Sequence, residues 1–144
     1  MIDEFVKAWD AYKVNLSEYI ASHRQEDYNT YNKIVTMLFE VVINPYRVAH
    51  GNVSFDVKNV HEIDDGHWQG TLLYMIPLNK YQPSYWEYVT TYVYYGSCSG
   101  CDELMNISEY EDGLPNREQV KGYVGLCLNI LQHCKYPFNY EKED

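Results

Sequence analysis

The chain has 144 residues, 46% of them hydrophobic and 22% charged, which suits one globular domain over 1–144 and argues against wholesale disorder. Its formal charge is −10, and 16 residues are tyrosine. Between positions 59 and 112 nine acidic residues meet one base, Lys80, so that stretch alone carries −8. A field of this sign repels phosphate backbones and attracts basic surfaces, which disfavours direct nucleic-acid binding.

The opening "MIDEFVKAWDAYK" has neither a basic n-region nor an apolar h-region, so no signal peptide is expected. "MLFEVVI" and "LLYMIPL" are too short to cross a bilayer. Four cysteines in a chain of this size do not define a secreted disulfide scaffold. The expectation is a cytoplasmic protein with reduced thiols, no membrane contact and no cofactor.

Ile2, Phe5, Val6, Trp9, Tyr12 and Leu16 recur at 3–4 spacing and predict a first helix with one apolar face. Asp27 or Asn29 can cap a second, in which Tyr31, Ile34, Val35, Leu38, Phe39 and Val42 repeat the pattern. Pro45 is expected to end it, and Gly51-Asn52 to turn the chain. The period then changes to two: Val53, Phe55 and Val57 alternate with Ser54, Asp56 and Lys58, predicting a strand. After a tight-turn signal at "DDG", "HWQGTLLYMIPL" is apolar on both faces, Trp68, Leu72, Tyr74 and Ile76 against Leu73 and Met75. Such a strand belongs in the middle of a sheet. "SYWEYVTTYVYYG" predicts a third, rich in β-branched and aromatic residues, and completes an antiparallel meander.

Helical signals return in "CDELMNISEYE", with acids in its first turn, and in residues 117–134, where Asn116 is a cap and Val120, Tyr123, Val124, Cys127, Leu131 and Cys134 form the apolar face. Residues 135–144 read as a tail. The fold class is α+β: a three-stranded antiparallel meander flanked by two N-terminal and two C-terminal helices.

"YGSCSGCDEL" between the third strand and the following helix admits several chemistries. A thiolate at a helix start is stabilised, so Cys98 or Cys101 could react readily. Gly96 to Gly100 could form an anion nest, giving a small-ligand binder or a thiol-dependent enzyme. Zinc needs four ligands; Cys98, Cys101 and His133 could contribute, but Cys127 and Cys134 lie about 10 Å apart along one helix and cannot both join them. The plainest reading is a Gly-Ser turn capped by Ser97 or Ser99, with Cys101, Cys127 and Cys134 as small core residues. "HWQGTLLYMIPL" followed by "EYVTTYVYYGSCSGCDEL" resembles a motif of small tailed-bacteriophage proteins over residues 67–104. That resemblance implies a phage protein acting in a bacterial cytoplasm, and it brings no activity with it.

"HEIDDGHW" places His61, Glu62, Asp64, Asp65 and His67 around one turn, where they could hold a metal or an acid–base pair, although turns collect Asp and Gly for backbone reasons alone. No GxSxG, HExxH or P-loop pattern is present. Alternation puts Tyr88, Tyr92 and Tyr94 on one face of the third strand and Tyr85 and Tyr95 on the other. If one face stays open, tyrosine offers large contact area at low entropic cost. The expectation is a non-enzymatic, acidic binding protein, a phage-encoded inhibitor of a host enzyme or defence component. Tyr88, Tyr92 and Tyr94 would supply contact area, and Glu87, Asp102, Glu103, Glu109, Glu111 and Asp112 the charge. The partner would be a basic protein surface, one that handles nucleic acid; homo-oligomerisation stays open.

Overall fold

The computed structural model describes residues 1–66, 69–98 and 100–137. Readings that fell on His67, Trp68, Ser99 and residues 138–144 lie outside these. Helix α1 (Asp3–Ser22) is followed by α2 (Tyr31–Leu38), a π turn (Phe39–Ile43) and α3 (Asn44–Ala49). Strands β1 (His61–Asp64), β2 (Gly70–Pro77) and β3 (Tyr88–Tyr95) come next, then α4 (Glu103–Ser108) and α5 (Arg117–Gln132). The class is α+β, with helices before and after one antiparallel sheet in the order β1-β2-β3.

α1 buries Phe5, Ala8, Leu16 and Ile20, and α5 buries Tyr123, Leu126, Cys127, Ile130 and Leu131; the predicted faces hold at Phe5, Leu16, Tyr123, Cys127 and Leu131, while Val6 is exposed and Trp9, Tyr12, Val120 and Val124 are half-buried at the rims. Thr30, rather than Asp27 or Asn29, caps α2, accepting from the Lys33 N–H, while Asn116 and Gln119 form a reciprocal capping box on α5. Pro45 does not end the second helix. Its ring would clash with the carbonyl four residues back, and the chain avoids this by widening to a π turn in which the Asn44 N–H reaches the Phe39 carbonyl. Pro45 then occupies the first turn of α3, where its missing N–H costs nothing.

The expected strand at 53–57 is not the first strand of the sheet. Asn44 clamps Phe55 on both backbone groups, its Nδ2 donating to the Phe55 carbonyl at 3.0 Å and its Oδ1 accepting the Phe55 N–H at 2.7 Å. That clamp holds the edge facing away from the sheet. On the other edge the Asp56 N–H reaches the Pro77 carbonyl at 2.7 Å and the Asn79 N–H the Ser54 carbonyl at 2.8 Å, and the 3₁₀ turn Val57–Asn59 stops the pairing there, so Phe55 makes only an isolated bridge with Leu78. The alternation at 53–57 instead sends Phe55 into the core, edge-on to Phe5 and Phe39. The sheet begins at His61, where β1 pairs with β2 from His61–Met75 to Asp64–Leu72. β2 pairs in turn with β3 from Gly70–Tyr95 to Pro77–Tyr88.

β2 is central, as its composition required, but only one of its faces is covered. Tyr74, Ile76, Val89, Thr91 and Val93 are buried against the helices, whereas Leu73 and Met75 on the opposite face are half-buried. At the C-terminal end, Lys135 pairs with Thr90 on the free edge of β3, and Tyr136 packs against Phe5. Lys135 and Tyr136 are therefore part of the fold rather than tail.

Candidate functional site

Strand alternation and register together define the outer face of the sheet. It carries Ile63 from β1, Thr71, Leu73 and Met75 from β2, and Tyr88, Thr90, Tyr92 and Tyr94 from β3, with His61 at one corner. Tyr94 is 65% exposed and Ile63 50%. Tyr92 is half-buried because the His133 ring stacks on it, centroids 4.1 Å apart, and His133 Nδ1 lies 3.0 Å from the Tyr92 carbonyl. None of these strand residues is Asp, Glu, Lys or Arg; charge enters at the edges, from exposed Lys135, bridged to Thr90, and from Asp65, whose carboxylate accepts the Thr71 N–H at 2.7 Å. Beyond its Tyr88 end, the β2–β3 connection exposes Tyr81, Tyr85 and, at 61%, Trp86.

The acids expected beside this face divide into two groups. Asp102 is only 5% exposed and is fully engaged: it accepts the Tyr31 hydroxyl (2.8 Å), the Gly96 N–H (3.0 Å) and the Met105 N–H (3.0 Å), the last as the cap of α4. Asp102 is a structural pin, not part of a charged surface, and it takes the capping role assigned to Ser97 or Ser99. Glu87 is also occupied internally, receiving the Lys80 ammonium and the Ser84 N–H, and its carboxyl is held below the ordinary range by those two donors. Glu103 is exposed and shares a cleft with Tyr94 and His133, at the edge of the outer face. Glu109, Glu111 and Asp112 are exposed in the α4–α5 connection, where Glu111 accepts from Gln119.

Alternation along β1 also separates the proposed metal or acid–base group. His61 and Ile63 face outward, while Glu62 and Asp64 face the helices and line a cavity of about 520 Å³ with Tyr31, Tyr95, Asp102 and Met105. Each carboxylate there accepts a tyrosine hydroxyl: Glu62 from Tyr74 (2.7 Å), Asp64 from Tyr95 (2.6 Å), Asp102 from Tyr31. Burial pushes the Tyr74 and Tyr31 hydroxyls up, and the bond to Asp64 pushes Tyr95 up to about 12. Among the described residues no three His, Cys, Asp or Glu side chains converge as a metal site would require.

Three N–H groups of the CxxC loop are engaged within the loop and its anchor. Gly96 donates to Asp102, Cys98 donates to Cys101 Sγ at 3.1 Å, and Cys101 donates to the Cys98 carbonyl at 3.0 Å. Cys98 and Cys101 are exposed, so Cys101 is not a core residue, whereas Cys127 and Cys134 are sealed in the core. No signal in the sequence marked Asp102 as the residue that anchors this loop, since its partner Tyr31 lies 71 positions away. Among the described residues no helix is long and apolar enough to cross a membrane. No protein-family model, curated protein or solved structure matches the chain at a significant level.

Proposed function

We propose that the protein is a non-enzymatic binding protein that docks a basic partner protein on the outer face of its sheet. The observation that supports this reading is an exposed aromatic and aliphatic surface whose strand residues carry no ionised side chain, with charge confined to its edges, on a chain carrying −10. An open sheet face built around Ile63, Leu73, Tyr92 and Tyr94 suits the dehydrated centre of an interface, where tyrosine is enriched and charge depleted. Glu103 and Asp65 at two edges of the face, with the acidic α4–α5 connection, supply the field that would steer a basic surface; Lys135, opposite Thr90 on the β3 edge, opposes it. Taken with the phage-like "YGSCSGCD" segment, the reading extends to an inhibitor that covers a basic, nucleic-acid-handling surface of a host protein.

The test is affinity capture from a bacterial lysate, run with three baits: the native chain, Ile63→Ser with Tyr94→Ala, and Glu103→Lys with Glu109→Lys. The expected result is a basic protein retained by the native bait and lost with the face variant. Capture should weaken with the charge variant and with added salt, since steering by exposed charges is screened within about 10 Å at 0.1 M. Retention unaffected by either variant would defeat the proposal. So would sedimentation showing that the native chain covers this face with a second copy.

A further inference from the structure

Cys98 and Cys101 stand apart from the docking surface in chemistry and are built for a different task. Their sulfurs are 2.7 Å apart, against about 2.05 Å in a formed disulfide. The turn between them is already closed by the bond from the Cys101 N–H to the Cys98 carbonyl. Its base is rigid as well: a Cβ at position 96 would fall 2.3 Å from the Cys101 carbonyl oxygen and 2.8 Å from its sulfur, so only glycine fits there. Asp102 then holds Gly96 from the other side. The loop thus presents two exposed thiols already facing each other, and closing the bond asks for a movement of less than about 1 Å.

The other two cysteines provide the contrast. Cys127 and Cys134 are buried in the core, and burial pushes both thiols up to about 12, which leaves them protonated and inert. Cys101 moves the other way. The Cys98 thiol donates to its sulfur, and the Cys98 N–H and Ser97 add to this, so its pKa falls below that of a free thiol. A cleft of about 310 Å³ opens beside Cys101, lined by Tyr94, Glu103, Asn129 and His133, and gives a small reactant room to approach.

We propose that Cys98 and Cys101 are a redox-active pair that closes reversibly to an intramolecular disulfide by exchange with a low-molecular-weight disulfide. The Cys101 thiolate attacks one sulfur of that disulfide, forming a mixed disulfide and expelling one thiolate. Cys98 loses its proton to solvent and attacks Cys101 Sγ, forming the Cys98–Cys101 bond and expelling the second thiolate. Two electrons pass from the protein thiols to the reactant, and two protons end on the released thiols. The same steps run backwards when the small thiol is in excess.

The experiment equilibrates the full chain in glutathione buffers of graded oxidised-to-reduced ratio, quenches with acid, alkylates and weighs the protein. As the oxidised fraction rises, Cys98 and Cys101 should lose alkylation together and the chain should become two hydrogens lighter. Cys98→Ser should trap one glutathione on Cys101, and do so faster than Cys101→Ser traps one on Cys98. Both side chains are exposed, so serine leaves the fold intact. The pair in the native chain should also oxidise at a lower oxidised fraction than in urea-unfolded chain. Thiols that stay alkylatable in excess oxidised glutathione would overturn the proposal. So would single adducts that never resolve, or equal behaviour of folded and unfolded chain.

Discussion

Asp102 makes three hydrogen bonds from one carboxylate, and each joins a different part of the molecule: Tyr31 on α2, Gly96 at the end of β3, and Met105 in the first turn of α4. Replacing it with alanine removes a helix cap, worth about 1 kcal/mol, and strands the buried Gly96 N–H, which costs about 1–3 kcal/mol more. Asp102→Ala should therefore lower the unfolding free energy by about 3 kcal/mol in urea titration. Asp102→Asn keeps the oxygen that serves Tyr31 and Met105 but turns an amide NH₂ toward the Gly96 N–H, so it should cost about half as much. A loss below about 0.5 kcal/mol for alanine, the range of an ordinary surface change, would show that the pin is not needed.

At the level of elements, the 3₁₀ turn between α1 and α2 is tied to the α4–α5 connection by Glu26. Its carboxylate accepts the Gly113 N–H at 2.6 Å and Arg24 Nε at 2.8 Å, and the two donors lower its pKa from near 4.5 to about 2. A depressed carboxylate stabilises the fold above its unfolded pKa, and that contribution disappears as pH falls from about 4.5 to about 2. The native chain should lose more thermal stability than Glu26→Gln across this window at low salt; matching acid profiles would refute the tie. None of this was visible in the sequence, where Glu26 and Gly113 are 87 positions apart. What could be read was periodic and local: the apolar faces of α1 and α5, the Asn116 cap, and the alternation that puts Tyr92 and Tyr94 on one side of β3. β1 was missed because "HEID" is exposed at all four positions and only its register with β2 defines it. The strand expected at 53–57 shrinks to one bridge because a 3₁₀ turn at Val57–Asn59, started by the Asp56 side chain accepting the Lys58 N–H, interrupts the pairing, a local signal that the two-residue alternation masked. Of the site, the tyrosine face was legible from alternation, but the fate of each acid depended on long-range partners.

Across the whole molecule, 11 lysines and arginines cannot partner 21 carboxylates, and tyrosine makes up the shortage of donors. The hydroxyls of Tyr31, Tyr74 and Tyr95 donate to carboxylates, those of Tyr28 and Tyr123 to a carbonyl and to Gln25. A neutral donor satisfies a buried acceptor without adding a second charge to desolvate, but the device depends on the proton staying in place. Ionising Tyr74 would set a phenolate against Glu62. Burial accordingly pushes Tyr123 up to about 12, Tyr28, Tyr31 and Tyr74 are raised as well, and Cys127 and Cys134 reach about 12. The sign follows: with folded pKa values above the unfolded ones, stability is complete below about pH 9 and falls as pH climbs toward 12. Each such group contributes a slope of about 1.4 kcal/mol per pH unit, and the growing negative charge adds self-repulsion. The urea midpoint should be flat from neutral pH to about 9 and then drop steeply, with the tyrosinate absorbance of the buried hydroxyls appearing in one step together with loss of helical circular dichroism. If the whole tyrosinate absorbance developed while the helices persisted, the buried hydroxyls would not be the donors holding these carboxylates in place.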